Sequence, residues 1–547
     1  MPGTYTFPGV YIEEIPSGVH TITGVSTSDT AFVDFFARGP VDTAVRCTSF
    51  ADFERQFGGL DSRSEASYAI QQYYLNGGSI AWVIRAVAGN AEAATRILPR
   101  SASYYASGAS GGGSGGGGGD SLIITAASPG AWGNNLQVAV DYNGTRRAQG
   151  TGQPVEFNLA VREVVEVNGR QQVRATETYR NLSMDTTSSR YVESVVNDGS
   201  TLIAVSDVSG GELPEATGAD VINNPQPGDF LWLGRAPFQA GADGDAPTAN
   251  DLQGDPDAKT GMYALDTIEP FIFNILCIPA AANMDAGNMT AVITAAEAYC
   301  DAKRAFLIVD IPANIATPAG MIAWMGTNDG LRDRNAAVYF PRVLIPDALN
   351  ENRPRNVGAS GTLAGVYART DATRGVWKAP AGTDGDLRGA SLAVTINDLE
   401  NGSLNPLGIN ALRTFPIFGP ISWGARTLEG ADQQASEWKY IPVRRTALFI
   451  EESLYQGVKW VVFEPNDEPL WSQIRLNVGA FMQDLFRRGA FQGTTPREAY
   501  FVKCDKDTTT QNDIDRGIVN IVVGFAPLKP AEFVVIQIQQ MAGQVQV

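Results

Sequence analysis

Few residues in this chain are equipped for chemistry, and their spacing works against it. His20 is the only histidine. A Ser/His/Asp or Cys/His nucleophile pair needs an imidazole held within hydrogen-bond reach, and His20 closes a segment that reads as an extended arm. Hydrolysis of that kind is excluded, as are zinc sites built on histidine. Cys47, Cys277, Cys300 and Cys504 are far apart and form no CxxC pair, so reduced, buried thiols are expected. Asp310, at the carboxyl end of the apolar run Phe306 to Val309, stands where an α/β enzyme places a catalytic acid or metal ligand. Capping of a loop before Pro312 accounts for it equally. Asp505-Lys506-Asp507 and Asp513-Ile514-Asp515 lack the spacing and central glycine of a calcium loop. The run from Gly111 to Gly119, broken only by Ser114, leads through Asp120 into Leu122-Ile123-Ile124 without a Gly-Lys-Ser/Thr ending. It has the composition of a flexible linker, not of a phosphate loop. No cofactor or metal is expected.

Composition narrows the partners. The chain has 547 residues, 44% hydrophobic and 18% charged, which is ordinary globular composition with room for about two to four domains. A net charge of −18 and a pI of about 4.6, without any basic run, argue against direct binding of DNA or RNA. Met1-Pro2-Gly3-Thr4 has no charged n-region followed by an apolar one, and no stretch approaches the ~18 uninterrupted apolar residues of a membrane span. A soluble chain, not inserted in a membrane and not exported by the usual signal, is expected.

The elements that position these residues follow from periodicity and punctuation. An apolar strand is expected around Ala31 to Phe36, a helix from Phe50 to Phe57 between Ser49 and Gly58-Gly59, and a helix over Glu65 to Leu75 ending at Asn76-Gly77-Gly78. The strand Ala81 to Ile84 follows. Beyond the glycine linker the pattern turns β-rich: Leu136 to Val140, Phe157 to Val161, and Val164 to Val167 joined through Asn168-Gly169 to Gln172 to Thr178 as a hairpin. From Phe271 strands and helices alternate. Phe271 to Ile278, Ala305 to Ile311 and Ala336 to Phe340 read as strands, Met289 to Lys303 and Ala319 to Gly326 as helices, giving a parallel, doubly wound sheet. Near the end, helices are expected over Pro442 to Gln456, with Ala447, Ile450 and Leu454 on one face, and Leu470 to Arg488, with Leu470, Ile474, Val478, Phe481 and Leu485 in one stripe. Strands Tyr500 to Cys504 and Ile518 to Ala526 close the core.

Both chain ends read as strands without a home in their own domain. Pro8 to Gly18 is kept from helix by its prolines, and Val10, Tyr11, Ile12 and Ile15 favour strand. Phe533 to Gln540 alternates, placing Val534, Ile536 and Ile538 on one face. Unpaired edges invite aggregation, so these segments are expected either to pair with neighbouring copies or to complete the chain's own sheet.

The segment Gly365-Val366-Tyr367-Ala368-Arg369-Thr370-Asp371-Ala372-Thr373-Arg374-Gly375-Val376-Trp377-Lys378-Ala379-Pro380-Ala381-Gly382 resembles the signature of contractile tail sheath proteins of phages and phage-derived injection systems. Pro8-Gly9-Val10-Tyr11-Ile12-Glu13-Glu14, Thr48-Ser49-Phe50 to Gly59, Asn76-Gly77-Gly78, Ser128-Pro129-Gly130-Ala131-Trp132-Gly133-Asn134, Asn405-Pro406-Leu407-Gly408-Ile409-Asn410 and Tyr440 through Gly524 resemble the same family in the same order. The resemblance implies a structural subunit, not an enzyme, that stacks as hexameric rings around an inner tube and shortens when a baseplate triggers it. It implies an α/β multidomain fold: a subtilisin-like, doubly wound middle domain, a mixed C-terminal domain completed by the terminal arms, and a β-rich inserted outer domain. The expected divisions are an arm over 1–20, an N-terminal α/β part over 21–100, the insertion over 101–260 with its linker at 107–120, the α/β domain over 261–435, an inner domain over 436–530 and a terminal strand over 531–547. The implied partners are further copies of the chain, an inner tube protein, and baseplate and tail terminator proteins. The implied location is a virion tail or an injection particle assembled in the host cytoplasm. Family members contact the tube through the inner domain, which makes Arg475, Arg487 and Arg488 candidates; helix C-terminal charge complementation accounts for the last two as well. In the signature, Gly365, Gly375 and Gly382 permit close approach or positive φ and Trp377 offers packing surface. Arg369, Asp371 and Arg374 are expected to fix a turn, with a subunit contact as the alternative.

Two other readings stay open on the sequence: an α/β hydrolase-like enzyme centred on Asp310, and a surface-layer structural protein, which would want an export signal. Under the enzyme reading Asp310→Ala leaves assembly intact and removes an activity; under the sheath reading there is none to remove.

Overall fold

The computed structural model describes residues 20–101, 119–167 and 169–537. Strands β1 (Thr30–Asp34), β2 (Ala44–Cys47) and β3 (Ala81–Arg85) come from the first hundred residues. Between them, the helix Phe50–Phe57 starts where Ser49 Oγ accepts from Asp52 N and stops at Gly58, φ +97°. The helix Glu65–Asn76 starts on Ser64 and stops at Gly77, φ +117°.

A second body follows. Strands β4 (Thr95–Pro99), β5 (Asp120–Ala126), β6 (Leu136–Asp141), β7 (Phe157–Val167), β8 (Arg170–Leu182), β9 (Ile203–Asp207) and β10 (Leu231–Trp232) form two antiparallel sheets, ordered β4-β5-β9 and β10-β6-β7-β8. The two strands expected before the hairpin are one, β7, carrying a register shift at Glu163/Val164. Leu122, Val138, Leu159 and Leu182 lie in the apolar core of this body. It is joined to the first by buried polar contacts: Arg85 Nη2 donates to the Pro129 carbonyl at 2.7 Å, Arg38 pairs with Glu163 at 2.9 Å, and Gly39 N donates to Ser128 Oγ at 3.2 Å. The glycine linker lies outside the described residues except for Gly119 and Asp120.

The chain then returns to the first sheet through β11 (Ile275–Cys277), β12 (Phe306–Val309) and β13 (Ala336–Phe340), with a small sheet of β14 (Val343–Asp347), β15 (Arg353–Val357) and β16 (Ser391–Leu392), and finally β17 (Ile409–Phe415) and β18 (Gly419–Ser422). The large sheet has eight strands in the order β18-β17-β13-β12-β11-β1-β3-β2. Six of these run parallel, while β2 and β18 are antiparallel to their neighbours at the two edges, so the expected parallel sheet is mixed at its rims. Its central strands β11, β12 and β13 are apolar throughout because both faces are covered: Leu307 and Val309 pack with the helix Ala286–Lys303, Phe306 and Ile308 with Tyr367 and Leu363 on the other side. The expected strand Phe271 to Ile278 shortens to β11. The chain joins the ladder only where Asn274 N and Ile275 N donate to the Asp29 carbonyl, and Phe271 stays half exposed beside Trp82.

Residues 441–525 pack as the helix Ile441–Gly457, the helix Glu468–Arg487 and an antiparallel pair, β19 (Tyr500–Lys503) and β20 (Val522–Phe525). The stripe Leu470, Ile474, Val478, Phe481 and Leu485 is buried as its spacing requires, and Ile22 joins the same core. The expected strand from Ile518 is paired only from Val522. Phe533–Gln537, expected to lie within a half-buried strand, is in no strand, with Phe533 to Ile536 exposed on both faces; Ile538 lies outside the described residues, as do Val10, Tyr11, Ile12 and Ile15. The alternation was real, but a strand is half buried only when a second strand or core lies beside it, and none does here.

One buried carboxyl is a liability. Glu297, on the helix Ala286–Lys303, is 7% exposed, and its Oε1 has no hydrogen-bond partner among the described residues. Burial, with Asp333 adding to it, pushes its pKa up to about 8. A carboxyl raised in the folded state stabilises fully below its unfolded pKa, about 4.5, and that contribution is lost as pH rises through about 8. Glu297→Gln is therefore expected to flatten the fall in stability across this window and to raise the thermal midpoint at about pH 9 by a few degrees; thermal unfolding of both proteins across pH checks it.

Candidate assembly site

At the carboxyl end of the large sheet, where an open α/β fold binds ligands, a hollow of about 630 Å³ is lined by Met284, Asp285, Pro312 and Asn314 from the loops after β11 and β12, while the buried carboxylates beside it are engaged internally. Asp310 accepts from Ser360 N at 2.9 Å and from Ser360 Oγ, capping the helix Ser360–Arg374. Burial, and then the neighbouring Glu65, push its carboxyl up to about 6. Glu65 is itself held by Arg342, by the Gly358 amide and by Asn283. Each oxygen of this cluster is committed to a protein donor, which is the arrangement of a helix cap. The loop expected after Asp310 is thus anchored to a helix start fifty residues on. His20 stacks its ring on Trp460, centroids 4.2 Å apart. All four cysteines are free and buried, and burial raises each thiol's pKa.

Most of the signature lies on the helix Ser360–Arg374, and its arginines hold the turn at Gly382–Gly385 that follows: Arg374 pairs with Asp384 and Arg369 donates to the Asp386 carbonyl. Leu363, Val366, Tyr367 and Thr370 are all buried at helical spacing, a signal present in the sequence and outweighed there by the glycines. Gly375 and Gly382 have φ of +92° and +86°, while Gly361 and Gly365 serve close packing. A Cβ at Gly365 would come within 2.5 Å of the Tyr73 carbonyl, and one at Gly361 would run into the Ala69 backbone, so this helix lies directly on Glu65–Asn76. Arg369 donates to the Asn76 carbonyl at 3.0 Å and pairs with Asp386 at 2.7 Å. Asp371 accepts both arms of Arg445, at 2.9 and 2.6 Å, with each side chain only 3% exposed. Arg445 also donates to the Thr27 carbonyl at 2.7 Å. One carboxylate therefore ties the signature helix to Ile441–Gly457 and to the strand leaving the N-terminal segment. Arg374 pairs at the surface with Asp384, and Trp377 lies under Arg488, 5.3 Å from ring centre to guanidinium.

Two functional residues escaped the sequence reading. Arg426, 1% exposed, donates through Nε and Nη2 to both oxygens of Glu532, each at 2.7 Å, and Tyr440 OH donates to the same carboxylate at 3.1 Å. Burial opposes its ionisation, but Arg426 holds the Glu532 carboxyl below its ordinary range. Glu532 immediately precedes Phe533, so this clamp fixes the root of the exposed C-terminal segment. Beside it runs a groove of about 1060 Å³ between the loop after the signature helix, with Trp377, Lys378 and Asp384, and residues 528–534. The edge of the β19–β20 pair adjoins it, through the bridge between Phe491 and Pro527.

Of the three arginines considered for tube contact, Arg475 is engaged by Glu468, Ser472 and the Cys504 carbonyl. Arg487 ends its helix exposed, and Arg488 covers Trp377.

Comparison with known proteins agrees with this architecture. Residues 433–541 match the phage tail sheath C-terminal domain family. A tail sheath protein of Vibrio phage KVP40 is 29% identical over 185 residues, 34% of this chain and 26% of that protein. A putative prophage major tail sheath protein of Pseudomonas aeruginosa is 27% identical over 245 residues, 44% of this chain and 59% of that one. The chain thus spans about a quarter and three-fifths of the lengths of these curated relatives. Among solved structures, the contracted sheath of the extracellular contractile injection system PVC covers 98% of this chain and 98% of its own at 20% identity and TM-score 0.57. The contracted helical sheath of the anti-feeding prophage covers 98% and 100% at 22% identity and TM-score 0.55. A sheath tail protein of Listeria innocua covers 93% and 96% at 12% identity and TM-score 0.56. The chain is related to tail sheath proteins through its C-terminal domain and shares the mixed α/β, multidomain sheath fold over nearly its whole length; these relatives are sheath proteins, not enzymes.

Removing one partner of a buried ion pair strands the other charge in the interior, at a cost of about 3–5 kcal/mol. Asp371→Ala is expected to lower the urea midpoint by that equivalent, while Arg374→Ala, at an exposed pair, changes it by less than about 1 kcal/mol.

Proposed function

We propose that this chain is the structural subunit of a contractile sheath, polymerising as stacked hexameric rings around an inner tube through strand exchange by its terminal arms, and shortening to drive the tube through a target envelope. The observation that carries this reading is an apolar tail with no strand partner beside a two-stranded sheet. Phe533, Val534, Val535 and Ile536 are each about four-fifths exposed. An isolated pair of strands is marginal, and three or more are needed for independent stability, so β19 and β20 stand ready to accept added strands. A tail clamped at Glu532, with Phe533 to Ile536 exposed beyond it, is suited to crossing to another copy.

Each added strand, with about four cross-strand hydrogen bonds at ~0.5–1.5 kcal/mol, contributes roughly 2–6 kcal/mol, so one junction is reversible and a lattice of them is not. The buried ties around Asp371, Arg426 and Arg85 support movement of the subunit as a rigid body between two packings, with the arms keeping the mesh connected. The subunit's partners in this reading are its own copies, an inner tube protein, and baseplate and terminator proteins. Its place is a virion tail or injection particle assembled in the host cytoplasm. Arg487, exposed at the end of its helix, is the arginine best placed to meet the tube. The middle of the large sheet takes the subtilisin-like role in this reading, as a scaffold without catalysis.

Deleting residues 1–18 is expected to abolish polymers while leaving a folded monomer with an unchanged thermal midpoint. Negative-stain images decide it: obliquely striated tubes of normal length from the truncated chain would sink the reading.

A further inference from the structure

The turn between the two C-terminal helices carries apolar side chains outward. Val462 is 62% exposed and Phe463 wholly so. Phe463 also has φ +71°, a left-handed backbone that a bulky side chain rarely adopts and that persists only where the surroundings impose it. Here they do. Glu464 N donates to the Val461 carbonyl at 3.1 Å; three residues beyond Phe463, Asn466 Nδ2 donates to the Ile518 carbonyl at 3.0 Å and Asn466 Oδ1 accepts from Trp471 Nε1 at 2.9 Å. The two side chains form a knob whose shape is set before any partner arrives, which removes part of the entropic cost of docking.

The hollow at the carboxyl end of the large sheet is its counterpart. Met284, Met289, Ile315 and Trp324 give it apolar walls, and its volume of about 630 Å³ lies within the ~300–1,000 Å³ of pockets that bury a partner group. Methionine side chains adapt to an aromatic ring. Asp285 is the charged group of the lining, and Lys459, exposed beside the knob with its ammonium over the Tyr455 ring, carries the opposite sign. Knob and hollow lie at opposite ends of the subunit. The hollow opens at the N-terminus of the helix Ala286–Lys303, which has 18 residues and is about 27 Å long. Just past the other end of that helix, Arg304 pairs with Glu452 at 2.8 Å and covers the Tyr455 ring, where Lys459 also sits. The four residues from Lys459 to Phe463 reach at most ~14 Å, about half the helix. The knob does not enter its own hollow.

We infer that Val462 and Phe463 of one copy seat in the hollow between Met284 and Trp324 of a second copy, with Lys459 beside Asp285. A patch at one end that meets a different patch at the other is a heterologous contact, which repeats along a row of copies instead of stopping at a dimer. This rests on the sheath reading above for its setting and adds an end-to-end junction that uses neither terminal arm. It also gives the left-handed backbone at Phe463 and the apolar hollow at the sheet end a use that internal packing does not supply.

The test uses the full-length chain, with assembly followed by sedimentation. Phe463→Gly removes the knob and suits the positive φ, so the monomer is expected to keep or raise its thermal midpoint while polymer formation requires about tenfold higher protein concentration. Ala323→Arg, at an exposed helical position on the lining of the hollow, is expected to shift assembly equally and to leave the monomer folded. Cross-linking reads the contact itself. Phe463→Cys and Ala323→Cys proteins, mixed and oxidised, are expected to give a disulfide-linked pair with one copy of each, and a chain carrying both changes is expected to give a ladder of oligomers. Polymers of either blocking variant at the wild-type concentration, Phe463→Cys linked only to itself, or the absence of a mixed pair would overturn the junction. If the blocking variants polymerise normally while the 1–18 deletion does not, the sheath reading stands and this contact alone is wrong; if the wild-type chain forms no tubes, that reading fails and the mixed pair still decides the junction.

Discussion

The helix Ser360–Arg374 is the constraint around which the rest of the molecule is arranged. It is buried over most of its length, so its charged groups need protein partners and every neighbour must fit its surface. Gly361 and Gly365 bring Glu65–Asn76 into backbone contact, Asp310 closes its first turn, and Asp371 takes the Arg445 guanidinium in two hydrogen bonds. The first hundred residues, the central strands and the C-terminal helices are thereby referred to one rod. Burying a charge pair is costly, and its use here is geometric: a two-pronged contact fixes the angle between two helices more tightly than apolar packing does.

The same logic explains why the buried carboxylates at the sheet end are not free for chemistry. Asp310 and Glu65 stand where catalytic carboxylates are often found, yet their oxygens are spent on amide and guanidinium donors that join distant segments. Rigidity at that position suits the rigid-body movement proposed for the subunit. The two ends of the described core are pinned at their roots: one by Arg426 and Tyr440 on Glu532, the other by the stacking of His20 on Trp460. A pinned root shortens the volume a tail must search, which lowers the entropic cost of finding its partner.

Legibility varied with the range of the forces involved. The helix Phe50–Phe57 has the limits its neighbours dictate, because Ser49 and Gly58 act within one turn. The apolar stripe of Glu468–Arg487 was equally plain, and so were the apolar strands Phe306–Val309 and Ala336–Phe340, which helices cover on both faces. The signature helix was harder, since Gly361 and Gly365 argue against helix locally and are favourable only once a second helix lies against them. Phe271 to Asn274 resembled the strand that follows, but pairing begins only at the Asp29 carbonyl. The Arg426–Glu532 clamp left no trace at all, its partners being 106 residues apart.

By itself the sequence determined the caps, the buried stripes, the want of residues for histidine-based chemistry and the apolar character of Phe533 to Ile536, because each of these depends on residue type and on neighbours a few positions away. The tertiary structure alone decided that Asp371 belongs to Arg445 and Glu532 to Arg426, that the first strands share a sheet with those beyond residue 270, and that a groove opens beside the tail. These are meetings of distant segments, selected by the packing of the whole core, and no local pattern encodes which charge will face which.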